Sequence, residues 1–198
     1  MILMVNCSLK AKEGNTQYFL ELLKGQVNDS EIIRIKDVLK NELESFAEKC
    51  QKADALVIGA PLYVDGLPAQ AVKLLEDLLE NYKGKFTELP VYVVSNLGFY
   101  EAKQIKHLLD MVRNWCTRMG CVYGGGIAVG AGPLITRLGN LPVNKDVQTG
   151  FRKLAAAICK KETMDNYYTK TMIPRAVYLQ AAHMSFRKTL KENGVKEK

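Results

Sequence analysis

Cys7-Ser-Leu-Lys-Ala-Lys-Glu-Gly-Asn-Thr16 follows the apolar run Met1 to Val5 and leads directly into Gln17 to Lys24, which has a helical pattern. The apolar run reads as a first strand. A strand that empties into a loop of hydroxyls, amides, lysines and glycine, and turns at once into a helix, is built to hold an anion. Backbone N–H groups at the helix start point into the loop, and the helix dipole favours negative charge there. Ser8, Lys10, Lys12, Gly14, Asn15 and Thr16 supply suitable groups, and phosphate is the obvious guest. Asn15 is also a good N-cap, so a capped surface turn accounts for the same residues. The rest of the chain has to decide between the two.

Outward from this stretch the pattern alternates. Glu31 to Lys36 reads as a short edge strand. Leu43, Phe46, Ala47 and Cys50 then mark an amphipathic helix. Asp54 to Ala60 is a buried strand, followed by a loop from Pro61 to Pro68 and a helix with Ala71, Leu74, Leu75, Leu78 and Leu79 on its apolar face. Pro68 suits the first position of that helix. Pro90 to Ser95 is the fourth strand, and Asn96 to Tyr100 its loop. Ile105, Leu108, Leu109, Val112, Cys116 and Met119 mark the next helix, Val122 to Gly130 the fifth strand, and Val147, Phe151, Leu154, Ala155 and Ile158 a fifth helix. Such alternation predicts an α/β fold, a parallel sheet with helices on both faces. Ligands of these sheets bind beyond the carboxyl ends of the strands, at the switch point of strand order. The loops after strands one, three and four are therefore the candidate site.

The chain of 198 residues reads as a single domain, with a core over 1–161 and an extension over 162–198. In the extension, Glu162 to Pro174 looks irregular and Arg175 to Asn193 reads as a helix begun by Pro174, with Leu179, Ala182, Phe186 and Leu190 on one face. That face suits the body of the protein or a second subunit. The formal net charge is +7, and +5 of it lies from Lys160 onward, where nine Lys or Arg meet four Asp or Glu. No recognition motif accompanies that charge, so a solvated basic tail is expected and not a nucleic-acid partner. No secretion signal is read at the start, and the cytoplasm is the expected location. Met119 to Thr136 carries no charge, but its six glycines and Pro133 make it a poor membrane helix, and a buried strand with a loop is expected there. The five cysteines form no C-x-x-C pair, which argues against zinc, an iron–sulfur cluster or a disulfide framework. No metal site is expected.

The second loop presents Pro61, Leu62, Tyr63 and Val64, and the third Asn96, Leu97, Gly98, Phe99 and Tyr100. Planar side chains and approachable backbone, set opposite a phosphate cradle, suit a flat aromatic cofactor bearing a phosphate. Flavin mononucleotide, FMN, answers that description. In that reading Ser8, Lys10, Gly14, Asn15 and Thr16 hold the phosphate, Tyr63 and its neighbours line the ring, and Asn96 to Tyr100 meet its polar edge.

These residues resemble a family. Ser8 with Gly14-Asn-Thr16, Ala60-Pro-Leu-Tyr63 with Leu67-Pro-Ala-Gln70, Lys73 and Asp77, and Asn96-Leu-Gly-Phe-Tyr-Glu101 are together similar to the three cofactor loops of the flavodoxin-like NAD(P)H-dependent FMN reductases. The resemblance covers roughly residues 1 to 130. It implies a flavodoxin-like three-layer sandwich, a five-stranded parallel sheet in the order 2-1-3-4-5, bound FMN, NAD(P)H as co-substrate, a small-molecule electron acceptor such as a quinone or flavin, and a homodimer. Where members commonly start Gly-Ser-Pro-Arg, this chain has Asn6-Cys7-Ser8-Leu9-Lys10, so Lys10 brings a point charge in place of a bidentate fork. Two other functions share the architecture: an FMN-binding electron carrier without nicotinamide turnover, and a protein holding another phosphorylated small molecule without redox chemistry. No catalytic acid or base is assigned, because hydride arrives at the flavin itself. His107 and His183 are read as surface residues, Cys7 as a core side chain, Trp115 as core or interface, and the glycines from 124 to 132 as close backbone packing.

Overall fold

The computed structural model describes residues 1–10, 14–139 and 141–194. Lys12, one of the loop lysines, lies outside them. The elements in chain order are β1 (Ile2–Asn6), α1 (Asn15–Lys24), β2 (Ser30–Arg34), α2 (Ile35–Asp37), a wide π-helical turn (Val38–Glu42) and α3 (Leu43–Lys52). They continue with β3 (Ala55–Pro61), α4 (Ala69–Tyr82), β4 (Pro90–Asn96), a 3₁₀ turn (Ala102–Ile105), α5 (Lys106–Met119), β5 (Val122–Val129) and α6 (Gly132–Leu138). A second 3₁₀ turn (Pro142–Asn144) then leads into α7 (Lys145–Lys160), β6 (Tyr167–Tyr168) and α8 (Arg175–Glu192).

β1 and β3 are buried along their whole length, and β4 from Val91 onward, as continuous apolar runs covered on both faces should be. Their side chains alternate between two cores. Leu3, Val5, Leu56, Ile58, Val91 and Val93 point to the face covered by α3, α4 and α5. Ile2, Met4, Val57, Tyr92 and Val94 point to the face covered by α1 and α7, where Phe19 and Phe151 stack with ring centres 5.9 Å apart. The result is a flavodoxin-like three-layer α/β fold. All strand pairs are parallel, in the order β2-β1-β3-β4-β5-β6.

The first five strands stand in the order expected from the resemblance, and the structure adds a sixth. Tyr167 and Tyr168 pair with Ile127 and Ala128 of β5, so the stretch read as irregular closes the sheet edge. Two residues are too short for an alternating pattern to be legible. A second correction falls between Gly132 and Leu138, read as loop but folded as α6. Ala131, in the left-handed region at φ 52°, reverses the chain, and Pro133 in the first turn favours the helical φ. The glycines of this region pack as expected: a Cβ on Gly130 would lie 2.4 Å from the Tyr100 carbonyl oxygen. Pro68, read as the first position of α4, stands one residue before it at the N-cap position, with ψ 145° and no side-chain cap.

Among the described residues no helix is long and apolar enough to cross a membrane, and no group of three or more potential metal ligands converges. All five cysteines are free thiols, and burial pushes Cys7 up to about 12. His107 and His183 are exposed, as read. Trp115 is buried and donates its indole N–H to the Leu75 carbonyl at 2.7 Å.

Candidate cofactor site at the carboxyl edge of the sheet

The strand order reverses at β1, which has β2 on one side and β3 on the other. The loops leaving β1, β3 and β4 therefore emerge side by side. Backbone hydrogen bonds lock their roots together: Cys7 N–H donates to Gly59 O at 2.7 Å, Leu62 N–H to Asn96 O at 2.9 Å, and Leu97 N–H to Val129 O at 3.1 Å. α1 reaches this edge because Gly59 has no side chain. A Cβ there would lie 2.6 Å from Leu20, so the glycine lets the helix sit down on β3.

The start of α1 has the properties of an anion site. Gly14 is the N-cap residue and offers no side-chain cap, and the first turn contains no acid. The backbone N–H groups of Asn15, Thr16 and Gln17 find no acceptor among the described residues, which is the arrangement of a helix start that can receive an anion. Asn15 is thus the first helical residue and not the cap. Its side-chain oxygen accepts a hydrogen bond from the Thr136 hydroxyl of α6 at 3.0 Å. The Thr16 side chain is buried, and its hydroxyl oxygen accepts from Asn96 Nδ2 at 2.9 Å. Of the residues read as phosphate ligands, Ser8, Lys10 and Gly14 stand in or at the loop, while Thr16 faces the sheet and offers its N–H.

Sequence reasoning missed two residues that shape this loop. Asn6, at the end of β1, accepts the Ser8 N–H through Oδ1 at 2.9 Å and donates through Nδ2 to Gln17 Oε1 at 2.7 Å. One amide thus holds the entry of the loop to the helix it leads into. An asparagine ending a buried strand is the signal that was available, since its amide needs partners when buried.

The second loop is a tight turn. Tyr63 and Gly66 exchange backbone hydrogen bonds of 3.1 and 3.0 Å, and Val64 and Asp65 both take positive φ, 47° and 59°. That is the mirror-image turn preferred by Asn and Gly, and it holds a β-branched residue in a left-handed conformation. Pro61 is buried as the last residue of β3 and Leu62 is half-buried, whereas Val64 stands free in solvent. In the third loop Asn96 and Leu97 are buried, Gly98 faces open space, and Phe99 is 65% exposed. Leu9, Tyr63, Val64 and Phe99 are all exposed apolar side chains on loops at one end of the sheet. A flat ring laid between those loops has such side chains to cover, and the phosphate cradle lies beside them, so the residues present fit FMN.

The extension also reaches this edge. Tyr178 of α8 donates its phenol to the Gly98 carbonyl, and Tyr100 donates to Ile173 O at 2.8 Å. The two tyrosine rings are 5.5 Å apart, and Arg175 pairs with Glu101 at 3.4 Å. Burial, with Glu101 adding, raises the Tyr178 phenol above its ordinary value, so it stays a donor at neutral pH. On α4, Lys73 and Asp77 form an ion pair one helical turn apart, and Asp77 raises the lysine pKa.

Comparison with known proteins bears on this site. Residues 1–132 match the profile of a family described as NADPH-dependent FMN reductase. No curated protein matches the chain. Among solved structures, the Trp repressor binding protein from Bacillus subtilis superposes with a TM-score of 0.60 at 18% identity, over 82% of this chain and 99% of that one. An NADPH-quinone reductase from P. pentosaceus gives 0.57 at 16% identity, over 82% and 96%. Two-electron reduced flavodoxin from Megasphaera elsdenii gives 0.53 at 18%, over 81% and 99%. At these identities the likeness is one of fold.

Proposed function

The chain belongs to the NADPH-dependent FMN reductase family, and from that premise we propose that it passes electrons from NADPH or NADH through bound FMN to a small acceptor, a quinone, a flavin or a similar molecule. As a member it is an FMN-dependent oxidoreductase, and FMN with NADPH is the pair the family carries. The observation that supports the site assignment is the uncapped start of α1 beside two loops whose Tyr63 and Phe99 side chains stand exposed at the same sheet edge. FMN, when bound, supplies the redox chemistry. The chain supplies position: amides of Asn15 to Gln17 and the side chains of Ser8 and Lys10 for the phosphate, Tyr63 and Val64 for the ring, and the backbone of Leu97 to Tyr100 for its polar edge.

A visible spectrum of the purified protein tests the cofactor. No flavin band, together with no binding of added FMN, overturns the reading. Steady-state oxidation of NADPH and NADH with quinone, free flavin and nitro-aromatic acceptors then tests turnover. Bound FMN without turnover with any of them favours the electron carrier.

We propose a homodimer working in the cytoplasm. In support of the dimer, α8 buries none of its residues, and Val177, Leu179, Met184 and Leu190 are exposed along it. Sedimentation of the full chain tests it, and a monomer at micromolar concentration sinks it.

A further inference from the structure

Between α6 and α8, next to the third loop, lies a cleft of about 230 Å³. Its walls are the Tyr178 and Phe186 rings and Leu134. Ala182 keeps its floor low, and Ser185 and Arg137 are its polar side chains. Among the described residues Arg137 is its one charged lining residue, and no carboxylate lines it. The Arg137 guanidinium is exposed and has no hydrogen bond or ion pair among the described residues. By contrast Arg34, Arg113 and Arg175 are paired with Asp37, Asp110 and Glu101.

The cleft adjoins the candidate cofactor site at Gly98 and is linked to it through α6. Gly98, whose carbonyl accepts the Tyr178 phenol, belongs both to the cleft and to the loop read as meeting the flavin's polar edge. Thr136, the neighbour of Arg137, holds Asn15 at the start of α1. A molecule in the cleft thus touches the third loop at Gly98, and its α6 wall is tied through Thr136 to the start of α1.

We propose that this cleft seats the electron acceptor and that it takes a one- or two-ring quinone bearing an acidic group, its rings against the apolar lining of Leu134, Ala182, Tyr178 and Phe186 and its negative charge on Arg137. The proposal rests on the flavin reading above and names the acceptor class. Aromatic walls favour a planar molecule, and an unpaired guanidinium beside a hydroxyl favours a carboxylate, sulfonate or phosphate on it. Anionic aromatic character is shared by the adenosine phosphate end of NADPH. The volume falls below the roughly 300 Å³ at which pockets for larger ligands begin, and a single cation faces it, so the smaller molecule is the better occupant. The quinone takes two electrons and two protons to become a hydroquinone. With FMN bound to supply the redox chemistry, a hydride from NADPH would account for both electrons and one proton, and the second proton would come from solvent.

The test uses FMN-loaded protein and three probes: naphthalene-2-sulfonate for binding, and 1,2-naphthoquinone-4-sulfonate and neutral menadione for turnover. Calorimetric titration of naphthalene-2-sulfonate is expected to show binding that Arg137→Ala weakens at least ten-fold and that Ala182→Trp, which fills the cleft, abolishes. Both variants are first checked for FMN binding, so that a failure to fold is recognised. Arg137→Ala is expected to raise the KM of the naphthoquinone sulfonate at least ten-fold relative to that of menadione. Equal binding by wild type and both variants overturns the proposal. So does displacement of the probe by 2′,5′-ADP with Arg137→Ala raising the KM of NADPH alone, since the cleft then belongs to the nucleotide. Arg137-dependent binding without any NADPH oxidation supports the anion cleft and overturns the enzymatic reading instead.

Discussion

The Asn96 side-chain amide donates a 2.9 Å hydrogen bond to the Thr16 hydroxyl inside the protein, joining residues 80 positions apart. Asn96 ends β4 and opens the third loop, and Thr16 lies in the first turn of α1, so one buried bond sets the spacing of two loops of the site. Thr16→Ala leaves the amide buried without its acceptor. Stability is expected to fall by about 1–3 kcal/mol, and FMN affinity to fall with it as the loops lose their spacing. Thr16→Ser retains the bond and is expected to restore most of both. Urea unfolding of the flavin-free protein and fluorescence titration with FMN check this, and an unchanged unfolding midpoint for Thr16→Ala rejects the role.

Lys10 is exposed and lies in the loop, with its N–H on the Ser8 hydroxyl at 3.3 Å. Its charge is free to meet a phosphate without a cost to the core. Lys10→Ala is expected to weaken FMN by about ten-fold or more, a hydrogen bond to a charged group being worth roughly 1.5–3 kcal/mol, with the unfolding midpoint unmoved. Lys10→Arg is expected to hold FMN at least as tightly, because a guanidinium grips phosphate with two bonds. Titrations at low and high salt decide it. Identical affinities for lysine, alanine and arginine at position 10 mean that the phosphate sits elsewhere.

The succession of strands along the chain and the three loops were legible because the evidence for them is local, whereas the order of strands in the sheet came from the family resemblance. β1, β3 and β4 are uninterrupted apolar runs, and each ends in residues that cannot continue a buried strand. What escaped reading is non-local or too short. The Asn96–Thr16 bond spans 80 residues, and the Tyr178–Gly98 contact the same separation, so neither leaves a periodic trace. β6 is two residues long, and its partner strand is the glycine-rich β5. α6 was hidden because Gly130, Gly132 and Pro133, which look like helix breakers, are there for close packing and for starting the helix. A Cβ on Gly132 would lie 3.1 Å from the Leu97 carbonyl oxygen, where the third loop crosses. Asn15 misled for a related reason. It has the chemistry of a cap, but Gly14 takes that place and frees the asparagine to hold α6.

Val64 sits at φ 47° with its side chain free in solvent, so the flavin-free fold gains nothing from that side chain to offset the strain. A left-handed conformation costs an L-residue roughly 1–2 kcal/mol, and a β-branched one lies at the upper end. Glycine relieves that cost while giving back about 0.4–1 kcal/mol in the entropy of the unfolded chain. Val64→Gly is therefore expected to stabilise the flavin-free protein by up to about 1 kcal/mol, or a rise in Tm of about 2–4 °C. Affinity for FMN is expected to fall in the same variant, since the ring loses an apolar contact. A strained residue kept for ligand contact predicts that opposition of sign. A variant that loses stability and binds FMN as before refutes it.

At the opposite end of the sheet, Asp54 accepts hydrogen bonds from Lys161 at 2.7 Å and from the Met1 amino group at 2.5 Å. Lys161 first and then Met1 hold its carboxyl down, from 3.8 to about 2. A depressed acid binds fewer protons in the folded state than in the unfolded one. Its contribution is therefore complete above 3.8 and is lost as the pH falls from there toward about 2. Asp54 is 51% exposed, so solvent and salt screen the cluster and the effect is modest. The Tm of the flavin-free protein is expected to drop across that acid window. Asp54→Asn is expected to lower Tm at neutral pH and to flatten the drop, and about 0.5 M sodium chloride to flatten it for the wild type as well. Parallel curves for Asp54→Asn and wild type through the window place the acid sensitivity in other carboxylates.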